Sequence, residues 1–202
     1  MYSIYDLKPA FQKILRPAAG LLAAHGISPN QITIAALLIS CSEGAAIALQ
    51  PEETWPLSIL PLVLFIRMSL NAMDGLLARE YGMETPLGVI INDLGDVVSD
   101  AIVYLPLALV PGLSAPAIIS MTMLAILVEM TGVTVVQIGV RRNQAGPMGK
   151  SDRALVIGSL GLVLGFGVTP GLWSDMVLYL VNLLIVVTIF NRIRKALEIR
   201  LI

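Results

Sequence analysis

The residues of this chain equipped for chemistry are carboxylates and carboxamides set inside apolar segments. Arg67, Asn71, Asp74 and Ala78 recur at steps of four, three and four. At 3.6 residues per turn they fall on one stripe of a helix. Gly88, Asn92, Asp96 and Asp100 recur at steps of four and form a second stripe, with Asp93 beside Asn92. Oxygen donors gathered without histidine or cysteine suit a hard cation, Mg²⁺ or Mn²⁺, better than zinc. The single histidine, His25, and the single cysteine, Cys41, lie outside both stripes. A His-rich metal site and a disulfide framework are thereby excluded. Gly75, Ala78 and Gly88 leave room beside the backbone for a ligand, or else serve close helix packing.

These groups sit in an apolar setting. Of 202 residues, 56% are hydrophobic and only 13% charged, and the mean hydropathy is +0.84. A soluble domain of this length needs more polar surface. The apolar runs reach the roughly 20 residues that cross a bilayer as a helix. Six spans are predicted near 30–49, 56–81, 86–110, 115–140, 152–169 and 171–194, broken at Gln50-Pro51, Pro86, Pro111-Gly112, 143–149 and Thr169-Pro170-Gly171. Ser28 and Pro29 suit the cap and first turn of the first span. Ahead of it, Leu7, Phe11, Ile14 and Leu15 alternate with Lys8, Lys13 and Arg16, the pattern of an amphipathic helix lying in the interface. The fold class expected is therefore an all-α membrane protein. Residues 1–27 form the interfacial helix and 28–202 a six-helix membrane domain. No removable secretory signal is expected at the start.

Ionisable groups within a bilayer are costly unless solvated, paired or metal-bound. Glu43, Arg67, Asp74, Asp93, Asp96, Asp100 and Glu129 all fall in the predicted spans, which implies a polar cavity. Arg67 is expected to pair with Asp100 or Glu129. The loops 50–55, 111–114 and 169–175 contain no lysine or arginine. Apart from Arg67, the basic residues, among them Arg79, Arg141, Arg142, Lys150, Arg153 and Arg192, share the opposite side. The positive-inside rule makes that side, and both termini, cytoplasmic. The run 191–200 reads as an anchor on anionic lipid.

The stretch Asn71-x2-Asp74-Gly75-x2-Ala78-Arg79-x8-Gly88-x3-Asn92-x3-Asp96 resembles the signature of the CDP-alcohol phosphatidyltransferase family, D-x2-D-G-x2-A-R-x8-G-x3-D-x3-D. Every spacing agrees, and Asn71 and Asn92 stand where the signature has aspartate. Pro29-Asn30-x2-Thr33, the span number and the interfacial helix also look like the family. The resemblance implies transfer of a phosphatidyl group from a CDP-linked lipid, CDP-diacylglycerol, to an acceptor alcohol, with release of CMP during phospholipid biosynthesis. It implies Asp96 as the general base and Asn71, Asp74, Asn92 and Asp96 around one or two Mg²⁺ or Mn²⁺ ions, with Asp93 or Asp100 able to restore lost charge. It implies Asp74, Gly75, Ala78, Arg79 and Gly88 as holders of the nucleotide, and Lys150 and Arg153 as holders of an anionic or phosphorylated acceptor. A homodimer in a bacterial inner membrane is expected, surrounded by membrane lipids and without a nucleic-acid partner. Two other readings stay open: a catalytically silent CDP-lipid binder and an ion-coupled transporter.

Overall fold

The computed structural model describes residues 8–140 and 146–200; Arg141 and Arg142 lie outside them. Seven α-helices make up the described chain. They are α1 (Lys8–Ala24), α2 (Pro29–Leu49), α3 (Trp55–Glu80), α4 (Pro86–Tyr104), α5 (Ala115–Gln137), α6 (Lys150–Gly165) and α7 (Leu172–Arg200), and a 3₁₀ turn, Leu105–Leu109, extends α4.

Helix starts follow from local chemistry. Ser28 caps α2: its Oγ accepts from Gln31 N at 3.3 Å, while Gln31 Oε1 accepts from Ser28 N at 2.8 Å. Thr85 accepts from Gly88 N at 3.0 Å to start α4, and Ser114 caps α5. At α6 the reach runs backwards, Gly149 N donating to Asp152 Oδ2 at 2.9 Å.

Four helices, α2, α3, α5 and α7, are long and apolar enough to cross a membrane. The other two predicted spans fall short for separate reasons. Helix α4 spends Asp93, Asp96 and Asp100 inside its 19 residues, and α6 has only 16 residues. The predicted fifth span, 152–169, ends early because the chain turns at Gly167 with φ 86°. The predicted sixth, 171–194, continues as helix to Arg200. Large side chains such as Leu38, Leu62, Leu127 and Leu183 face outward, as a lipid-facing surface requires. The main core gathers Leu60, Leu64, Tyr104, Met121, Ile157, Leu178 and Ile185.

Helix α2 packs along both α3 and α4 more extensively than those two pack along each other. A gap is left between α3 and α4 and closed from the other side by α6. Small residues set the α3–α6 distance. A Cβ on Gly161 would come within 2.8 Å of Leu60 and 3.1 Å of the Leu57 carbonyl oxygen. Ser58 Oγ donates to Gly165 O at 3.1 Å. Helix α1 lies across α3: Ala19, Leu15 and Leu22 pack with Leu76 and Leu77, Arg16 pairs with Glu80 at 3.0 Å, and Phe11 meets Phe65 edge-on at 5.9 Å. Placing Leu at Gly161 is expected to force α6 off α3 and cost about 1–3 kcal/mol of stability, read as a lowered melting temperature of the purified protein in detergent.

Candidate functional site

The gap between α3, α4 and α6 is a cavity of about 600 Å³. Helix α3 contributes Asn71, Asp74, Gly75 and Arg79 to its wall; α4 contributes Asn92, Asp93 and Asp96; Glu129 of α5, Lys150, Ser151, Asp152 and Ser159 of α6 and Gln12 of α1 complete the polar part. The two stripes thus converge, although the helices bearing them stand apart. Asn71 Nδ2 reaches across to Asp96 Oδ1 at 2.7 Å. Asp74, only 4% exposed, accepts from Thr33 Oγ1 of α2 at 3.0 Å. Helix α2 therefore orients this carboxylate as well as separating the helices.

Not every predicted residue reaches the wall. Ala78 and Gly88 do not line the cavity. Gly88 instead lets α4 approach the start of α2, where a Cβ would lie 2.8 Å from Asn30 Oδ1. At Gly75 the room serves a ligand group of this chain: the Arg79 guanidinium lies over it, 3.0 Å from where a Cβ would stand. Arg79 itself is exposed.

Lys150 stands at the first turn of α6, with its Nζ 2.5 Å from Asp96 Oδ1. Asn71 uses the same oxygen, so neither contact takes Oδ2. One turn deeper, Asp100 does not line the cavity. Its Oδ1 lies 2.9 Å from Arg67 and its Oδ2 3.2 Å from Arg153. The expected pairing of Arg67 with Asp100 is present. The expected availability of Asp100 as a metal ligand is corrected, because both its oxygens are taken by guanidinium groups. Arg153 is 0% exposed and also lies 3.4 Å from Glu129, which Arg192 approaches at 3.9 Å. Thus Asp96 and Asp100, one turn apart on α4, meet Lys150 and Arg153, one turn apart on α6.

Among the described residues no three His, Cys, Asp or Glu side chains cluster as a metal site. Where the two stripes meet, the wall instead offers the carboxylates Asp74, Asp93 and Asp96 and the carboxamides Asn71 and Asn92, while Glu129, Asp152 and Gln12 line it as well. Asn92 Oδ1 is buried without a hydrogen-bond partner, an acceptor left available for a cation or a ligand hydroxyl. Oxygen donors of this kind fit Mg²⁺ or Mn²⁺.

Thr33, Glu129 and Arg192 were not named as site residues from sequence. Thr33 could have been found, since it lies one turn beyond Pro29-Asn30. Glu129 and Arg192 are isolated charges in apolar runs, a signal of partnership that does not name the partner.

Comparison with known proteins places this architecture. The CDP-alcohol phosphatidyltransferase family matches residues 26–190, and the chain belongs to that family as an integral membrane protein. It is 41% identical over 195 residues to the inner membrane protein YnbA of Escherichia coli (strain K12), covering 96% of each chain. It is 30% identical over 103 residues to an archaetidylinositol phosphate synthase of Pyrococcus horikoshii, about half of either chain (51% and 52%). The fold is similar to that of the phosphatidylinositol phosphate synthase PgsA1 of Mycobacterium tuberculosis with CDP-DAG bound. That match has a TM-score of 0.75 at 19% identity, covering 91% of this chain and 94% of that one. The same protein with manganese and citrate superposes with a TM-score of 0.70 at 20% identity, covering 89% and 87%.

The buried pairs make a stability prediction. Asp100→Leu leaves Arg67 and Arg153 facing each other without their shared carboxylate and is expected to cost about 3–5 kcal/mol. Adding Arg67→Met is expected to recover part of the loss, since one buried charge is then removed. SDS-induced unfolding in mixed micelles measures both.

Proposed function

We propose that this chain transfers a phosphatidyl group from CDP-diacylglycerol to a small alcohol and releases CMP, at the cytoplasmic side of a bacterial inner membrane. The observation that carries the reading is one cavity holding Asn71, Asp74, Gly75, Arg79, Asn92 and Asp96 together. Its wall continues into an apolar stretch of Leu64, Phe65, Met68, Leu155 and Leu162. A CDP-linked lipid has this division, a charged diphosphate joined to acyl chains.

Asp96 is the base. It takes the proton of the acceptor hydroxyl as that oxygen bonds to the lipid-side phosphorus. The bond from that phosphorus to the CMP oxygen breaks, and its electron pair leaves on CMP. Asn71 and Lys150 fix the carboxylate through Oδ1. Arg79 sets positive charge over the Gly75 backbone for the nucleotide phosphates. Asn71, Asp74, Asn92 and Asp96 would hold the divalent cation, which when bound neutralises charge growing on the leaving phosphate. Two carboxylates and two carboxamides balance the charge of one such ion, and Asp93 lies on the same wall. Asp74 and Asp96 are thus also contacts to the diphosphate through that ion.

In the bilayer, α2 to α7 make six crossings. Helix α4 turns Asp93 and Asp96 to the cavity and Asp100 to Arg67 and Arg153, and α6 is the shortest of the six. The basic side, with Arg79 and Lys150 near the cavity, faces the cytoplasm. Helix α1 rests in that interface, and small-residue helix faces together with the family resemblance support a homodimer.

The test is CMP release from CDP-diacylglycerol by purified protein with a panel of alcohols, the lipid product being identified by mass. Release is expected only with Mg²⁺ or Mn²⁺, and Asp96→Asn or Asp74→Asn should lower the rate about 10²–10⁴-fold. Nucleotide binding without turnover for any alcohol would instead favour a silent CDP-lipid binder, the reading that Asn71 and Asn92 support. Mn²⁺ titration followed by electron paramagnetic resonance is expected to give one ion per chain. Asn92→Asp should tighten its affinity.

A further inference from the structure

Helix α1 carries none of the signature residues, yet Phe11 and Gln12 on it line the cavity. Its seat on α3 is fixed by side-chain contacts. Phe11 packs edge-on against Phe65 at 5.9 Å, Arg16 pairs with Glu80 at 3.0 Å, and Leu15 and Ala19 pack with Leu76 and Leu77. The start of α1 is therefore turned toward Phe65 and its following turns toward the Glu80 end of α3. Gln12, next to Phe11, reaches the wall on the Phe65 side, where α3 changes from Phe65 and Met68 to Asn71 and Asp74. There Gln12 Nε2 is buried and has no hydrogen-bond partner among the described residues. An amide donor left in this way is costly, and a bound molecule that brings an oxygen to it removes the cost.

We propose that Gln12 donates through Nε2 to an ester carbonyl of the donor lipid, so that the protein selects ester-linked over ether-linked CDP-lipids. The inference rests on the transferase reading above and deepens it, naming a donor contact on α1. Along CDP-diacylglycerol the diphosphate comes first, then a glycerol unit with two ester carbonyls, then the acyl chains. In that reading Arg79 and the cation ligands take the diphosphate, and the apolar wall takes the chains, which carry no hydrogen-bond acceptor. The ester carbonyls fall between them, where the wall changes character, and a carbonyl oxygen can only accept. The uncharged amide of Gln12 suits such an oxygen. A dialkyl donor lacks both carbonyls, so the amide would stay buried and unpartnered beside it, and the ether lipid would bind less well.

The purified full chain is given CDP-diacylglycerol or its dialkyl ether analogue of equal chain length, in mixed micelles with Mg²⁺ and the alcohol that yields most CMP. The wild-type protein is expected to show kcat/KM about threefold to tenfold higher with the ester donor. Gln12→Leu and the longer Gln12→Met should each bring that ratio close to one. A merely structural role would lower both rates together and keep the ratio. Equal kcat/KM for the two donors in the wild-type protein, or a ratio that survives in both variants, overturns the inference and leaves the transferase reading intact. If no alcohol yields CMP from either donor, the transferase reading fails, and donor binding decides the inference separately. Thermal stabilisation that needs less of the ester lipid than of the ether lipid, with the difference lost in Gln12→Leu, then supports it. Equal stabilisation by the two lipids, none by either, or a difference retained in Gln12→Leu overturns it.

Discussion

Charge inside a low-dielectric interior must be matched, and in this protein the matching is done between α4 and α6. Asp96 and Asp100 on one helix face Lys150 and Arg153 on the other. Arg67 joins from α3, and Glu129 with Arg192 extends the chain of pairs to α5 and α7. Each charge alone would cost several kcal/mol in that setting. Together they fix the relative height of five helices, because a slide of one turn would separate the partners. The pair nearest the cavity mouth contains the proposed base, and the deeper pairs hold it in register.

The cavity depends on this register and on helix separation. Helix α2 occupies the place between α3 and α4, and Thr33 on it orients Asp74. Asn71 bridges the remaining distance to Asp96. Glycines then bring α6 close to α3, so the opening has a polar part around Asn71, Asp74, Asn92 and Asp96 and an apolar part along α3 and α6. A ligand with one charged and one fatty part matches that division. The apolar part requires no designed pocket beyond the lipid-facing surfaces of two helices.

Much of the architecture was legible in the sequence because it follows local rules. Ser28-Pro29 started a helix where the cap chemistry requires one, and the two stripes followed from helical periodicity. The spacing from Asn71 to Asp96 carried the family. Arg67 was expected to pair within the bundle, and it does, with Asp100. Hydropathy was less reliable where function has displaced apolar residues. Helix α4 carries three aspartates, and α6 is too short to register as a span.

The sequence by itself determined the helices, the membrane setting and the set of residues able to do chemistry, since these depend on composition and short-range periodicity. Tertiary structure decided which charges are available. Asp100 and Asp96 occupy equivalent places on the same stripe, yet one is held between two buried arginines and the other lies on the cavity wall. Lys150 and Arg153 look alike in sequence and differ in the same way. Availability is set by partners from α3, α5 and α7, brought close only by packing, and no spacing within one helix encodes them.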